Sequence, residues 1–297
     1  MQNDRPIEVI VVDDGSTDGT FAVAQALATE HPDLVRTVRQ PNAGPGMARE
    51  RGRQMARGEF IQYLDSDDLL LPGKFRAQVE ALRAQPDADV AYGITYWRDA
   101  SGTLVEVAHK KTGLSIPTMF PEFLVSRWWE TATPLYGSRV TDLAGPWTNL
   151  SLEEDWEYDC RIASLGGKLV WIAQPVSEHR DHGGQRLSRG GEFNSQRLRQ
   201  RFLAHSLIFK HALDFGLNPQ APQMQHFARG LFLLSRQCGA AGLTEESRHL
   251  FNLSRQAAGP LRGGSGEFRA YAMGANILGW PLMGKISCWL DRARKSQ

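Results

Sequence analysis

The sequence predicts an α/β protein, with an open and mostly parallel sheet in its N-terminal part and a helical region after it. Apolar strands alternate with amphipathic helices from residue 7 to residue 84, which is the order typical of right-handed crossovers in a parallel sheet. Two of these strands are followed directly by acidic clusters, and ligands bind at the carboxyl ends of strands in such sheets. From about Glu192 onward the pattern is mainly helical.

The first half of the sheet follows the order strand, helix, strand, helix, strand. The first strand is a continuous β-branched apolar run, which is typical of a strand buried on both faces. The helix after it begins at residues of the N-cap type and stops at Pro32. The predicted elements are a strand over 7–12, a helix to Pro32, a strand over 34–39, a helix to Arg57 and a strand over 60–64.

The whole chain is predicted to form two domains, over residues 1–190 and 191–297. Residues 98–150 are irregular and rich in aromatic side chains, and residues 259–267 are a flexible break rich in glycine. The regular elements expected in the first domain are a helix from Pro72 to about Ala84, a strand over 89–97, a helix over 153–165 and a strand over 168–173.

Composition excludes several classes of protein. Lys plus Arg is 34 and Asp plus Glu is 33, and this balance does not favour nucleic-acid binding.

The three cysteines, Cys160, Cys238 and Cys288, are widely spaced. This spacing fits a reducing cytosol and fits neither a disulfide framework nor a metal-binding pair. The N-terminus has no signal-peptide pattern, and no window is apolar enough to span a membrane. We expect a cytoplasmic protein.

The first acidic motif is "DDGSTDG", residues 13–19. It reads either as a turn between strand and helix or as the start of a calcium loop of the EF-hand type. The calcium loop needs Glu at its twelfth position, where Gln25 stands. The turn is therefore the better interpretation of the residues alone.

The second motif, "DSDD" at residues 65–68, has more carboxylates than a helix cap needs. Mg²⁺ or Mn²⁺ bound to a diphosphate needs only one or two carboxylates, so a cation site and a solvated cap both remain open. A phosphohydrolase of the haloacid dehalogenase type also has two Asp residues after a strand, but Leu69 departs from its pattern.

Two further clusters are weak signals when taken singly. Glu153, Glu154 and Asp155 begin a helix, where the helix dipole favours anions. His179 and His182 lie beside a glycine pair in "EHRDHGG", and a histidine in a loop is most often simply exposed or hydrogen-bonded. These clusters become informative when they are considered in their order along the chain, together with the two acidic motifs before them.

Five segments in register resemble the inverting glycosyltransferases of family 2, which have the GT-A fold. The similarity covers about residues 7–188, and its segments are "VIVVDDGSTDGT", "PNAGPGMARERG", "GEFIQYLDSDDLLLPGKF", "GPWTNLSLEEDWEYDCRIASLGGK" and "HRDHGGQRLS". The resemblance implies transfer of a sugar from a nucleotide sugar, most often UDP-linked, to a carbohydrate or lipid-linked acceptor in cell-surface polysaccharide biosynthesis.

The resemblance also implies a role for each matching residue. Asp155 matches the general base, and Asp67 matches the direct ligand of a divalent cation, Mn²⁺ or Mg²⁺. His182 matches a late histidine that can join the metal or the diphosphate site. Asp68 remains to cap the helix after Pro72. The residues that match the donor pocket are Asp14, Gly44, Arg49 and Asp65.

These residue types suit the implied chemistry. A divalent cation stabilises the diphosphate that leaves, and a carboxylate removes the proton of the acceptor hydroxyl. We expect partial burial against Trp156 or the neighbouring acids to raise the pKa of Asp155. One displacement with one base inverts the configuration at the anomeric carbon.

The chain departs from the family at its beginning. Family members usually begin with a further strand and helix, and this chain starts at what resembles their second strand. The expected causes are a misassigned start or a shortened chain with an incomplete donor site. The alternative function is therefore a truncated, non-catalytic relative that binds a nucleotide sugar or a partner, and a more distant alternative is another divalent-metal enzyme.

The last segment of the chain is predicted to be a helix, and its environment can be interpreted in two ways. Residues 275–296 mix Trp280, Leu282, Ile286 and Trp289 with basic residues. This composition is typical of a helix that lies on a membrane surface, at the inner face of the membrane here, but also of a helix docked on the protein core.

Overall fold

The computed structural model describes residues 6–181 and 191–295. The chain divides into two compact units, residues 1–119 with 127–184, and residues 120–126 with 185–297. Every strand of the described residues lies in the first unit, and the second unit contains five of the described α-helices. The predicted α/β fold class with a helical C-terminal region is confirmed. The division at residue 190 stays a prediction, because residues 182–190 are outside the described ranges.

The N-terminal elements follow the predicted order. Each helix of this part begins after a glycine. The elements of this part are β1 (Val9–Asp13), α1 (Thr20–Glu30), β2 (Val35–Arg39), α2 (Pro45–Met55), β3 (Phe60–Ile61), β4 (Leu69–Leu70) and α3 (Lys74–Ala84).

The middle of the first unit is less regular. It contains short strands that join the sheet and a short helix. The elements are β5 (Val90–Arg98), β6 (Leu104–Val105), β7 (Leu135–Gly137), α4 (Ser138–Ala144), α5 (Glu154–Ser164) and β8 (Leu169–Arg180).

The strands form two separate sheets. β1 and β2 pair in parallel. The second sheet has the order β3-β7-β5-β8-β4, with β6 paired to β5. In this sheet β5 and β8 are parallel, and the other described pairs are antiparallel. The sequence predicted one mostly parallel sheet; the difference arises because β3 pairs with β7, from the irregular middle segment, and not with β1.

The expectation that the first strand is buried on both faces is wrong. Val9 is 40% exposed, and Asp13 is the one residue of β1 that is buried. Among the described residues β1 pairs only with β2, so its second edge has no hydrogen-bonded strand beside it. A strand at a sheet edge buries less of its surface than a central one.

The core of the first unit lies where α3 packs on the second sheet. Its buried side chains are Val79, Leu82, Ala91, Leu135 and Val170. Beside them, Trp147 stacks on Tyr158 with ring centroids 4.1 Å apart. This aromatic pair connects the segment before α5 to α5 itself, which carries the predicted base.

β8 is twice as long as the predicted strand over 168–173. It continues to Arg180 beside β5, with shifts of register between Tyr92 and Thr95. Gly93 permits this close pairing, because a Cβ there would lie 2.7 Å from Val176 and 2.8 Å from the Gln174 carbonyl oxygen. The extension brings His179 and Arg180 to the loop of the DSDD motif.

The second unit is a set of helices, as the sequence predicted. The predicted break over 259–267 is shorter than expected: the helix there kinks at Gly259 and runs to Gly263, and the next helix begins at Gly266. No helix within the described ranges is long and apolar enough to cross a membrane. The helices are α6 (Ser195–Asp214), α7 (Pro222–Ala240), α8 (Thr244–Gly263), α9 (Gly266–Leu278) and α10 (Trp280–Lys295).

Candidate functional site

Asp14 connects the loops that follow β1 and β2. Its Oδ1 accepts hydrogen bonds from Gln40 Nε2 at 2.8 Å and from the Ala43 amide at 2.9 Å, and its Oδ2 accepts one from the Gly44 amide at 2.8 Å. The carboxylate thus fixes the start of α2. Two of the predicted donor-binding residues, Asp14 and Gly44, are therefore in direct contact.

Gly44 and Gly46 are required by the backbone at the start of α2. Gly44 has φ of +93°, which residues with a Cβ rarely adopt. Gly46 lies against the segment before α5, because a Cβ on it would be 2.3 Å from the Thr148 carbonyl oxygen. Pro45 occupies the first turn of the helix, where a missing amide proton is tolerated. The motif "GPG" thus allows α2 to approach the base segment.

Arg49 of α2 bridges two acidic segments. Its Nη2 donates to Asp65 Oδ1 at 2.7 Å, and its Nη1 donates to Glu154 Oε1 at 2.8 Å. The guanidinium also lies 5.0 Å from the ring centroid of Trp147. Burial acts to lower the pKa of Arg49, but the charges of Asp65, Glu154 and Asp155 raise it. The DSDD loop and the start of α5 therefore meet at one cation.

Glu154 is the buried member of the acidic cluster before α5. It is 7% exposed, and burial together with the negative charge of Asp155 raises its pKa. Arg49 opposes this shift through its charge and its hydrogen bond. Glu153, the residue directly before the helix, has φ of +60°, which is an uncommon backbone for a residue with a Cβ.

The carboxylates of the DSDD loop separate into different environments. Asp65 is 38% exposed at its side chain and contacts Arg49. Asp67 is half-buried, and its carbonyl oxygen accepts a hydrogen bond from Arg180 Nε. Asp65 and Asp67 therefore lie at the surface of the loop, within reach of a ligand from solvent.

The prediction that Asp68 caps the helix after Pro72 is wrong. Asp68 is buried, and its Oδ1 contacts His179 Nδ1 at 2.9 Å and accepts the Arg180 amide at 3.2 Å. The helix α3 has Gly73 at its N-cap with no side-chain hydrogen bond. The extended β8 supplies partners for Asp68 that the sequence pattern did not predict.

His179 continues a line of titratable groups across the sheet. Its ring stacks on His109 with centroids 5.5 Å apart, and His109 Nε2 lies 3.0 Å from Glu130 Oε1. Lys110 Nζ lies 2.9 Å from the same oxygen. Burial acts to raise the pKa of Glu130, but the hydrogen bond from His109 and the charge of Lys110 lower it below its ordinary value.

Asp155, the predicted base, lies in the first turn of α5 with 28% of its side chain exposed. Its Oδ2 accepts from Arg127 Nη1 at 2.5 Å, and its Oδ1 accepts from the Trp156 amide at 2.7 Å. Each carboxylate oxygen has about two lone-pair sites, so each can still accept a further hydrogen bond. The geometry leaves Asp155 able to contact a hydroxyl from solvent.

Arg127 is held in turn by Asp159, one helical turn after Asp155. Arg127 Nε donates to Asp159 Oδ2 at 2.7 Å, and Asp159 also accepts from Trp129 Nε1 and from the Tyr136 hydroxyl. Burial raises the pKa of Asp159, which is fully buried. Burial acts to lower the pKa of Arg127, but the charges of Asp155 and Asp159 raise it well above its ordinary value.

The predicted site residues form contacts in three groups. Asp14 contacts Gly44, Arg49 contacts Asp65, and Asp155 contacts Arg127. His182 lies outside the described residues. Within the described ranges, no group of three or more His, Cys, Asp or Glu side chains is arranged to hold a metal ion.

Several residues of this site were not predicted from the sequence. Asp159 could have been predicted from the sequence, because it lies four residues after Asp155 and this spacing places both carboxylates on one face of a helix. Arg127 and Glu130 carry no such signal, since they lie in the irregular segment that only the fold brings to α5 and β8. Glu154 was seen as part of the acidic turn, but its pairing with Arg49 was not.

Residues 1–137 match the family model described as Glycosyl transferase family 2. This part of the chain is similar to glycosyl transferase family 2. The resemblance expected from the sequence motifs is thereby confirmed.

Curated relatives in the family match this chain over short stretches. The succinoglycan biosynthesis protein ExoO of Rhizobium meliloti is 43% identical over 74 residues, which are 25% of this chain and 21% of that protein. The chain spans between 21% and 26% of the length of the first curated relatives that it matches.

Solved structures are similar over nearly the whole chain. TarS 1–349 of S. aureus in complex with UDP-GlcNAc has a TM-score of 0.68 at 18% identity, covering 100% of this chain and 86% of that one. The mannosyltransferase PcManGT of Pyrobaculum calidifontis, in complex with GDP-Man and Mn2+, has a TM-score of 0.50 at 18% identity, covering 95% and 77%. Identity this low shows the fold alone, and the predicted GT-A fold is confirmed.

Proposed function

We propose that this protein is a metal-dependent inverting glycosyltransferase that moves a sugar from a nucleotide sugar to an acceptor hydroxyl. The observation that carries the proposal is the position of Arg49, which contacts both Asp65 of the DSDD loop and Glu154 beside Asp155. The predicted donor-binding loop and the predicted base helix are thus held together by one side chain, as a displacement between a donor and an acceptor requires.

Asp155 serves as the general base in this proposal. The acceptor oxygen forms a bond to the anomeric carbon while the bond from that carbon to the diphosphate oxygen breaks. The proton of the acceptor hydroxyl passes to a carboxylate oxygen of Asp155, and the nucleoside diphosphate leaves with the bonding electrons. Attack from the face opposite the leaving group inverts the anomeric configuration.

Arg127 and Asp159 position the base. Arg127 fixes Oδ2 of Asp155, and Asp159 fixes Arg127. Both partners are buried, with Arg127 at 9% exposure and Asp159 at 0%. The Asp155 carboxylate is held at both oxygens, at Oδ2 by Arg127 and at Oδ1 by the Trp156 amide, and so loses rotational freedom. Its remaining lone pairs can therefore meet the acceptor without further ordering.

The residues of the DSDD loop fit a cation that arrives with a diphosphate. Asp65 and Asp67 are partly exposed carboxylates on one loop, and such a cation takes one or two carboxylates together with phosphate oxygens. Asp67 would hold the Mn²⁺ or Mg²⁺, with His182 as the second ligand that the family resemblance implies. When bound, the cation supplies positive charge that stabilises the leaving diphosphate.

The donor and acceptor are assigned by class. The UDP-GlcNAc complex of TarS supports a UDP-linked donor, with Asp14, Gly44, Arg49 and Asp65 as donor-binding residues, and the Mn2+ complex of the mannosyltransferase supports a divalent cation. ExoO, a succinoglycan biosynthesis protein, supports a carbohydrate or lipid-linked acceptor in cell-surface polysaccharide biosynthesis.

A panel of UDP- and GDP-sugars tests the proposal. We expect one donor to raise the melting temperature in the presence of Mn²⁺ and to release nucleoside diphosphate, with transfer to water or to added sugars. Binding without release, for every donor tested, would instead support the alternative of a relative that binds a nucleotide sugar without turnover. No binding of any donor would contradict both functions.

A further inference from the structure

α10 in the second unit exposes an apolar strip directly opposite its packed face. The packed face carries Gly284, Ser287 and Cys288, which are buried. Residues advance by about 100° along a helix, so Leu282, Ile286 and Trp289 lie on the opposite side. These three side chains are 47%, 37% and 68% exposed. A helix of a soluble domain normally carries polar residues on that side.

α9 repeats this arrangement. Its buried residues are Phe268, Tyr271 and Ala275, and the opposite side carries Met273 and Ile277. Met273 is 63% exposed and Ile277 is 74% exposed. Two consecutive helices therefore present large apolar side chains to solvent. Single exposed apolar residues are common on protein surfaces, whereas a group of them indicates an interaction surface.

The two strips lie beside the contact between the helices. Gly274 of α9 packs on Met283 of α10, because a Cβ on Gly274 would be 2.7 Å from Met283 Sδ. Gly274 lies between the buried face and the exposed strip of α9. Met283 lies between the corresponding two faces of α10. The strips therefore border one contact, and we call them together the α9–α10 strip: Met273, Ile277, Leu282, Ile286 and Trp289.

Basic residues flank the α9–α10 strip. Arg269 and Lys285 are exposed, and neither side chain has a carboxylate within ion-pair distance in the described part of the chain. The acidic residues of the two helices, Glu267 and Asp291, both contact Arg236 of α7. The surface around the strip is thus left with cations whose charge is not neutralised by the protein.

We propose that the α9–α10 strip docks on the surface of a bilayer that contains anionic phospholipids. An apolar strip flanked by Lys and Arg is the arrangement with which amphipathic helices lie in the headgroup region. A second copy of the chain fits less well, since a twofold contact through the strip would bring its flanking cations together without acids to neutralise them. The proposal does not depend on the sugar-transfer reaction.

Co-sedimentation with vesicles tests the proposal. The full chain is mixed with vesicles of phosphatidylcholine alone and of phosphatidylcholine with 30% phosphatidylglycerol, about the anionic content that gives a strong surface potential. We expect binding to the anionic vesicles only. Replacing Ile277 and Trp289 by Ser should weaken the partition about tenfold or more, because each side chain loses apolar area buried in the lipid.

The charge of the strip is tested separately. Arg269→Gln and Lys285→Gln should each weaken the partition about fivefold, since one cation near an anionic surface contributes about that factor. The matched controls are Val23→Ser and Arg139→Gln, exposed residues of the first unit, which should leave binding unchanged. The proposal would be overturned if the chain did not bind vesicles and instead formed a concentration-dependent dimer that I277S/W289S abolished. Equal binding to neutral and anionic vesicles would also overturn it.

Discussion

Arg127 Nη1 donates a hydrogen bond to Asp155 Oδ2 at 2.5 Å, while its Nε donates to the buried Asp159 at 2.7 Å. The predicted base is therefore not a lone carboxylate at the start of a helix. It is one end of a line of three charges whose other end is fully buried and bonded to Trp129 and Tyr136. The orientation of Asp155 depends on residues far from it in sequence.

Asp155→Asn is expected to abolish transfer and to leave donor binding nearly unchanged. The amide keeps the shape of the side chain but cannot accept the proton, and a general base contributes about 10²–10⁴-fold to rate. The measurement is release of nucleoside diphosphate alongside donor affinity by calorimetry. Asp87→Asn, at an exposed pair with Lys168, is the matched control. Near wild-type turnover in Asp155→Asn would show that another group is the base.

Arg127→Gln is expected to destabilise the fold by about 3–5 kcal/mol, because it leaves the buried Asp159 without its charge partner. Urea unfolding followed by tryptophan fluorescence measures the loss. Arg139→Gln, at an exposed arginine, should change stability by less than about 0.5 kcal/mol. Equal stability of the two variants would mean that Arg127 does not balance the buried carboxylate.

Two glycines of α2 should respond to alanine with opposite signs. A Cβ at Gly46 would meet the Thr148 carbonyl oxygen at 2.3 Å, so Gly46→Ala should cost about 1–3 kcal/mol through overpacking. At Gly52 the nearest atom, Val12 Cγ2, would be 3.7 Å away, so Gly52→Ala should stabilise by about 0.5–1 kcal/mol. Thermal unfolding of both variants checks the prediction, which fails if both shift the melting temperature in one direction.

Glu130→Gln is expected to lose stability at neutral pH. The folded-state pKa of Glu130 is lowered from 4.5, so its contribution is complete above about pH 4.5 and is lost as pH falls through the folded pKa. We expect the wild type to be about 1–3 kcal/mol more stable at pH 7. Urea unfolding at decreasing pH should show this difference narrowing, while Glu59→Gln, at an exposed pair with Arg83, should show little difference at any pH.

Donor binding is expected to require Mn²⁺ or Mg²⁺. Asp65 and Asp67 place negative charge beside a diphosphate, so without a cation the two would repel each other. Calorimetry of UDP binding with Mn²⁺ and with a chelator measures the effect. Unchanged affinity in the chelator would contradict a metal-dependent site, and Asp67→Asn should weaken binding in Mn²⁺ far more than the exposed Asp87→Asn.

The sequence alone determined the alternation of strands and helices, the GT-A fold and the helical C-terminal region. Periodicity and glycine positions are local, so α2, α3, α5 and β5 were predicted to within a few residues of their observed bounds. The acidic motif before the predicted helix also placed Asp155 in the first turn of α5, whereas β3 ends at Ile61, four residues before Asp65.

Only the tertiary structure decided which groups those acids meet. Asp68 was expected to cap α3 and instead contacts His179, because β8 extends past its predicted end and pairs with β4. Arg127 and Glu130 come from an irregular segment whose path no periodicity describes. Hydrogen bonds and ion pairs between distant parts of the chain depend on packing in three dimensions, and a linear pattern cannot specify them.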